Sequence, residues 1–312
     1  MQLAAGAAGI SLAKTSEAEV FAAAGFDDIF LAYPVVGLGK PERLLALSDK
    51  LRLAVGVDSV EGARNLSEAF RAARRRVDVL LKIDCGYHRI GVLPLDAGRI
   101  ARAVADLPGV TLRGIFTHAG HAYQAESPAA VAEIGRQEGE ILSVIAGALS
   151  REGIPIEEVS VGSTPTARHA MPVAGVTECR PGNYVFHDGS QVALGTCAAE
   201  DCAMTILATV VSVPARDRAV VDAGSKTLSQ DTLRPRPDGH GSILGTASRL
   251  VSLSEEHGVA RVKEGDSFRV GDRVRILPNH ACVVSNLHDR LYGVRAGSIE
   301  TEFRVAARGK VE

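Results

Sequence analysis

The sequence lacks several features that would assign a protein to a class directly. Its 35 basic and 37 acidic residues leave no positive excess of the kind that marks a nucleic-acid-binding surface. Its hydrophobic runs are too short to span a membrane, and no basic segment precedes the apolar residues 1–13 as a signal peptide requires. The five cysteines are odd in number and scattered, which argues against a disulfide framework. These absences predict a soluble cytoplasmic protein without a nucleic-acid or membrane partner.

The first two thirds of the chain alternate between short apolar runs and helical segments, a pattern typical of buried parallel strands joined by helices. Helix starts carry recognisable signals, such as Pro41 in a first turn and Ser59 before Glu61. The predicted strands are 9–13, 29–32, 53–57, 79–83, 112–117, 159–161 and 175–179. The predicted helices are 16–24, 41–50, 59–75, 95–106 and 127–152.

The order of these segments indicates a barrel and not an open sheet, since no glycine-rich dinucleotide turn follows the first strand. Seven βα-type strands over about 180 residues predict a (β/α)8 TIM-type barrel over residues 1–200, with its first strand missing because the chain begins in an apparent helix tail at 2–6. Residues 201–312 are predicted to form an all-β domain, because short β-like runs alternate there with turn residues and no helical period. Those runs are 203–213, 219–221, 249–253, 273–277, 290–294 and 299–305.

His280 and Cys282 form a candidate metal pair in the β-domain. Imidazole and thiolate suit zinc, and residues two apart on an extended segment point to the same face. A zinc ion with two protein ligands keeps positions for water or substrate, as a Lewis-acid catalyst requires. The alternative is an ordinary half-buried strand end. A site that this pair shares with the barrel is expected at the domain interface.

Polar residues follow several predicted barrel strands, at the end where active sites of this fold gather. Arg89 lies in a glycine-bounded loop, where it can bind a carboxylate or an aromatic ring or form a surface salt bridge. Two histidines and a tyrosine follow the next strand, within residues 117–123. The segments 162–166 and 180–184 follow the last two strands and predict phosphate loops, although N-capping explains the first nearly as well.

Seven motifs occur in the order seen in the D-serine dehydratase and D-threonine aldolase family, which the chain resembles over essentially its whole length. That family is similar in fold to the barrel-type alanine racemases. The resemblance implies a pyridoxal phosphate barrel, a C-terminal β-domain, a divalent metal beside the cofactor and usually a homodimer. The motifs are Asp84-Cys-Gly-Tyr-His-Arg-Ile-Gly, Thr117-His-Ala-Gly-His-Ala-Tyr, Gly162-Ser-Thr-Pro-Thr, Arg180-Pro-Gly-Asn-Tyr, Asp222-Ala-Gly-Ser-Lys, Glu256-His-Gly and Pro278-Asn-His-Ala-Cys.

The resemblance implies a binding role for the residues that match family motifs. For the cofactor phosphate, the matching contacts are Thr164, Gly182 and Asn183, with Ser163 and Tyr184 beside them. The residues that match contacts of the cofactor ring are Arg89, His118 and Tyr123. His280 and Cys282 match the zinc ligands. Because the aldolases tend to carry His-x-Asp and the zinc dehydratases His-x-Cys, Cys282 indicates the dehydratase branch.

Two positions depart from the family pattern. Phe116 stands where relatives often have tyrosine, so one polar cofactor contact is expected to be absent. The lysine that forms the Schiff base lies, in the family, in an Arg-Pro-His-x-Lys-Thr-like motif upstream of the segment where this chain begins. No lysine of this sequence sits in a matching context, and Lys82, on a strand that can face the barrel interior, is a candidate substitute.

Three functions are therefore open. The first is a pyridoxal phosphate- and zinc-dependent lyase that eliminates water from D-serine or D-threo-3-hydroxyaspartate to give a keto acid and ammonia. The second is a D-threonine aldolase-type carbon–carbon lyase. The third is a non-catalytic remnant that binds the cofactor phosphate and the metal.

Overall fold

The computed structural model describes residues 1–233 and 237–312, which form two compact units. The barrel unit comprises Met1–Ala122, Ala132–Pro181 and Gly309–Glu312, and the β unit comprises Tyr123–Val131 and Gly182–Arg308. The sequence-based domain boundary between residues 200 and 201 stays a prediction.

Seven parallel strands form one curled sheet in the barrel unit, and each pairs with the next along the chain. All seven predicted strands are present, which confirms the expected alanine-racemase-like barrel architecture. Among the described residues, the first and last strands are the two edges of this sheet. The strands are β1 (Ile10–Leu12), β2 (Asp28–Pro34), β3 (Arg52–Val57), β4 (Val77–Lys82), β5 (Val110–Phe116), β6 (Glu158–Val161) and β7 (Glu178–Cys179).

Helices cover the outer face of this sheet, where they bury the apolar side chains of the strands. Ser59 caps α3 as predicted, since its hydroxyl accepts a hydrogen bond from Gly62 N at 3.1 Å. Pro41 lies in the first turn of α2, also as predicted. The helices are α1 (Thr15–Ala23), α2 (Lys40–Ser48), α3 (Val60–Ala72), α4 (Ala97–Ala105), α5 (Pro128–Arg151), α6 (Ala167–Ala170) and, in the β unit, α7 (Gly189–Ala193).

The inner face of the sheet carries a small aromatic layer, which includes Phe30 and Phe116 together with Ala54 and Leu80. The two phenyl rings meet edge to face, with centroids 5.0 Å apart. A side chain at Gly56 would place its Cβ 2.7 Å from the Phe116 ring, so this glycine is required for the layer to pack. Residues two apart on a strand share a face, so Lys82 on β4 lies on the inner face with Leu80.

The β unit contains a closed antiparallel barrel in the strand order β10-β11-β12-β9-β8-β13 and a separate β14–β15 hairpin. The β architecture is confirmed, but β10, β12 and two short helices were not expected. Each of these elements is too short to show a period in the sequence. The strands are β8 (Ile206–Ala215), β9 (Arg218–Val221), β10 (Gly241–Ile243), β11 (Arg249–Leu253), β12 (Gly258–Arg261), β13 (Arg273–Pro278), β14 (Arg290–Arg295) and β15 (Ser298–Arg304), and the helices are α8 (Ser225–Leu228) and α9 (Ala281–Leu287).

Among the described residues there is no helix that combines the length and the hydropathy needed to cross a bilayer.

Candidate functional site

Arg89, Tyr87 and His118 stack on one another just after the ends of β4 and β5 in the barrel unit. The guanidinium of Arg89 lies 4.8 Å from the centroid of the Tyr87 ring, and that ring meets His118 edge to face at 5.9 Å. Burial lowers the pKa of His118 to about 4, so its ring is neutral at pH 7. His118 Nδ1 lies 2.9 Å from the Gly162 carbonyl and donates to it, which leaves an acceptor at Nε2. Arg89 and His118 are thus brought together, through a tyrosine that sequence reasoning had not singled out.

Two cations contact the Phe116 ring inside the sheet. Lys82 Nζ lies 4.5 Å from the ring centroid, and the guanidinium of Arg180 lies 5.3 Å from it. Arg180 also donates to the Ser160 hydroxyl at 2.6 Å and to the Thr117 carbonyl, so its side chain points into the sheet interior. This arrangement places two basic side chains around one aromatic ring inside the barrel unit.

Lys82 is the buried amine of this cation cluster, with only 4% of its surface exposed. Among the described residues, no hydrogen bond or salt bridge neutralises its Nζ. Burial, followed by the charges of Arg180 and Arg89, lowers the pKa of Lys82 from 10.5 to about 7, while Cys85 and Glu138 act weakly in the opposite direction. The amine therefore exchanges its proton near neutral pH.

Lys82→Met is expected to stabilise the protein more at pH 6 than at pH 9. The pKa of Lys82 is lower in the folded protein than in the unfolded chain. Between about pH 7 and 10.5 the unfolded chain therefore binds one more proton than the folded protein, so the stability of the wild type rises with pH in that range. Methionine removes the cost of burying the charge. The variant-minus-wild-type difference in free energy of unfolding should be about 2 kcal/mol larger at pH 6, as measured by urea denaturation. Lys50→Met, at an exposed position, is the control, and equal Lys82→Met differences at both pH values would contradict the assignment.

Glu138 on α5 joins the loops that follow β5 and β6. Its carboxylate is buried, with 1% exposed, and accepts hydrogen bonds from Ala119 N at 3.1 Å, Gly162 N at 3.0 Å and the Thr166 hydroxyl at 2.7 Å. Sequence reasoning had missed this residue. The available signal was its spacing, because Glu138 falls four residues before the buried Leu142 on the apolar face of α5.

The predicted phosphate loop after β6 is buried and well defined. Ser163 and Thr164 are 3% and 7% exposed, and Gly162 has φ +132°, a conformation that favours glycine. Within the described residues, neither the backbone N–H of Ser163 nor that of Thr166 donates a hydrogen bond, although both residues are buried. Unpaired buried N–H groups are costly, so the loop fits an anion such as the cofactor phosphate.

Residues 182–184 of the second predicted phosphate segment lie in the β unit, where Asn183–Val185 form a short turn. Asn183 donates to Asp188 Oδ2 at 2.6 Å, and its Nδ2 lies 3.7 Å from the Cys282 sulfur. The same Asp188 oxygen accepts from Ala281 N at 2.9 Å, and its other oxygen caps α7 through Gln191 N at 3.1 Å. Asp188 therefore ties the predicted phosphate segment to the predicted metal pair, and sequence reasoning had not singled it out.

The remaining predicted cofactor residues also have defined places. Tyr123 accepts a hydrogen bond from Gln191 Nε2 at 3.2 Å within the β unit. Tyr184 is 43% exposed, and Gly182 has open space where a Cβ would stand. Their roles in binding the cofactor stay predictions.

His280 and Cys282 come together, although not on a strand. The expectation of one extended segment is wrong, because α9 begins at Ala281 and places Cys282 in its first turn. A hydrogen bond between the two side chains is the largest of the effects that raise the pKa of His280 to about 9. His280 Nδ1 lies 2.8 Å from Asp231 Oδ2, which leaves Nε2 for another partner.

The chemistry of this pair fits a zinc ion. A histidine whose second nitrogen contacts a carboxylate is the usual arrangement around a protein-bound metal, and a thiolate is a favoured zinc ligand. In the part of the chain that the structure describes, no group of three or more His, Cys, Asp or Glu side chains forms a metal cage. The pair is therefore suited to an open site and not to a closed structural one.

The fold defines an alanine-racemase-like protein with a second, all-β domain. Residues 1–189 match the family described as alanine racemase, N-terminal domain, and residues 203–294 match the serine dehydratase domain. The chain belongs to the D-serine dehydratase and D-threonine aldolase family, as the sequence motifs indicated.

Three relatives illustrate this membership. The chain is 37% identical to the D-threo-3-hydroxyaspartate dehydratase of Delftia sp. (strain HT23), over 96% of this chain and 84% of that protein. It is 31% identical to the D-serine dehydratase of Dictyostelium discoideum, over 89% of this chain and 76% of the relative. The crystal structure of the D-threonine aldolase from Filomicrobium marinum matches with a TM-score of 0.90 and 32% identity, covering 100% of this chain and 84% of that one.

Proposed function

We propose that the protein is a pyridoxal phosphate- and zinc-dependent lyase that eliminates water from D-serine or D-threo-3-hydroxyaspartate. The observation that carries this proposal is the His280–Cys282 pair, with His280 oriented by Asp231. A cysteine stands at the position where the aldolases tend to carry aspartate, which favours the dehydratase reaction. The products are a keto acid and ammonia.

The chain's own residues supply binding and proton positions for this reaction. The unpartnered N–H groups of Ser163 and Thr166 bind the cofactor phosphate, and the neutral ring of His118 packs beside the cofactor ring without adding a charge. The amine of Lys82 holds or releases a proton near pH 7. When bound, pyridoxal phosphate supplies an electron sink for the substrate α-carbon, and zinc on His280 and Cys282 stabilises the negative charge of the leaving hydroxyl.

The two matched family models cover residues 1–189 and 203–294, which supports assigning both a cofactor-binding segment and a dehydratase-type domain to this chain. A homodimer and a cytoplasmic location also stay predictions. The dimer is checked by light scattering, which should return twice the chain mass of 32.7 kDa.

Product analysis separates the three candidate functions. The purified protein, supplied with zinc and pyridoxal phosphate, is incubated with D-threo-3-hydroxyaspartate, D-serine and D-threonine, with L-serine as the control. We expect ammonia and a keto acid from the first two substrates. Glycine and an aldehyde from D-threonine would favour the aldolase. Binding of cofactor and zinc without turnover would favour the remnant.

A further inference from the structure

The loop after β6 contains a chain of hydrogen bonds whose direction is fixed. Glu138 accepts from two backbone N–H groups at Oε1 and from the Thr166 hydroxyl at Oε2. An ionised carboxylate only accepts, so the single hydroxyl proton of Thr166 is used on Glu138. The Ser163 hydroxyl lies 2.8 Å from the Thr166 hydroxyl oxygen. Ser163 must therefore donate its own proton to Thr166.

We propose that Glu138, acting through Thr166, directs the Ser163 hydroxyl proton toward the Thr166 oxygen and away from a bound ligand. The loop then binds a phosphate monoester through backbone N–H groups and not through the serine hydroxyl. This inference rests on the proposed function, in which the phosphate is that of the cofactor. The backbone N–H groups of Ser163 and Thr166 are the donors, since no described residue accepts from either. Glu138 is a positioning residue in this scheme.

The geometry distinguishes a proton-orienting role from simple support of the loop. Glutamine at position 138 has nearly the same shape, and its carbonyl oxygen can still accept from Ala119 N and Gly162 N. Its amide would donate to the Thr166 oxygen, where the carboxylate accepts. Thr166 would then donate to Ser163, and the Ser163 proton would be free for a ligand. Glu138→Gln thus reverses the chain of donors while it keeps the loop's backbone contacts.

A double-mutant cycle tests this reversal. The affinity for pyridoxal 5′-phosphate is measured by titration calorimetry for the wild type, S163A, E138Q and E138Q/S163A. The affinity lost on Ser163→Ala should be about tenfold greater in the E138Q background, because the released hydroxyl donates to a charged phosphate there. The matched control is E140Q, because Glu140 is an exposed glutamate on the same helix. In the E140Q background, the affinity for pyridoxal 5′-phosphate lost on Ser163→Ala should equal the loss in the wild type.

Two outcomes overturn the inference, and they are distinguishable. Equal losses on Ser163→Ala in the wild-type and E138Q backgrounds, with clear cofactor binding by the wild type, would reject the inference alone. Failure of the wild type to bind pyridoxal 5′-phosphate would reject the proposed function and this inference with it.

A second variant covers the case in which E138Q does not fold. Thr166→Val removes the Thr166 hydroxyl and leaves Glu138 in place. The Ser163 hydroxyl then has no Thr166 oxygen to donate to, so its proton is again available for a ligand. The affinity lost on Ser163→Ala should then rise above its wild-type value, and an unchanged loss would overturn the inference. A purely structural role for Thr166 would weaken cofactor binding without changing the loss on Ser163→Ala. Thermal unfolding of each variant confirms that the folded protein is measured.

Discussion

Replacing Cys282 with serine is expected to abolish zinc binding and to lower the rate of D-threo-3-hydroxyaspartate dehydration about a thousandfold or more. Serine offers a poor zinc ligand, and His280 alone cannot retain the ion. A metal that stabilises a leaving hydroxide contributes several kcal/mol to the transition state, and each 1.36 kcal/mol corresponds to about a tenfold rate. Zinc per chain is measured by elemental mass spectrometry, and ammonia release gives the rate.

Cys202→Ser is the matched control for the loss of a thiol. The Cys202 thiol lies 3.8 Å from the Ala198 carbonyl oxygen, and burial raises its pKa to about 12, so it stays protonated and is a poor metal ligand. We expect this variant to keep its zinc and its activity. If Cys282→Ser retained stoichiometric zinc and full turnover, the metal assignment would be wrong.

Asp188→Asn is expected to lower the free energy of unfolding by about 3 kcal/mol. One carboxylate oxygen of Asp188 accepts from both Asn183 Nδ2 and Ala281 N, and the other accepts from Gln191 N. The NH2 group of asparagine would replace one of the two carboxylate oxygens, so at least one of these N–H donors would face another N–H and lose its acceptor. Because the Asp188 side chain is only 1% exposed, water cannot replace the lost hydrogen bond. Urea denaturation measures the loss, and zinc content should fall as well, because Ala281 lies between the two ligands.

Asp201→Asn provides the comparison for Asp188→Asn. Asp201 also accepts a hydrogen bond from a backbone N–H, that of Ala198 at 2.9 Å, but it is exposed and water replaces a lost partner. Its replacement should cost less than about 1 kcal/mol. A loss of that small size for Asp188→Asn would show that the carboxylate does not hold the two segments together.

The strands and helices of the barrel unit were predictable because each is long enough to show its own pattern. β3 at Arg52–Val57 and α5 at Pro128–Arg151 lie within a few residues of their predicted bounds. The β unit was less predictable. β10 at Gly241–Ile243 and α9 at Ala281–Leu287 span three and seven residues, too few for periodicity to appear. Their conformation depends on neighbouring strands and on the cap from Asp188.

The candidate site divides in the same way. Arg89, His118 and the His280–Cys282 pair were predicted from motifs, since the chemistry of each residue type is visible in the sequence. Glu138 and Asp188 were not, because nothing in their local sequence marks a buried carboxylate. Glu138 is 24 residues from Gly162, and Asp188 is 93 residues from Ala281.

By itself, the amino-acid sequence determined the family, the order of the barrel strands and the types of donor available for a phosphate and a metal. These follow from local periodicity and from residue chemistry. Only the tertiary structure decided which carboxylates lose their water and which N–H groups they accept from. Burial and hydrogen bonding of this kind arise between segments that are far apart in the chain, so they exist only after the chain has folded.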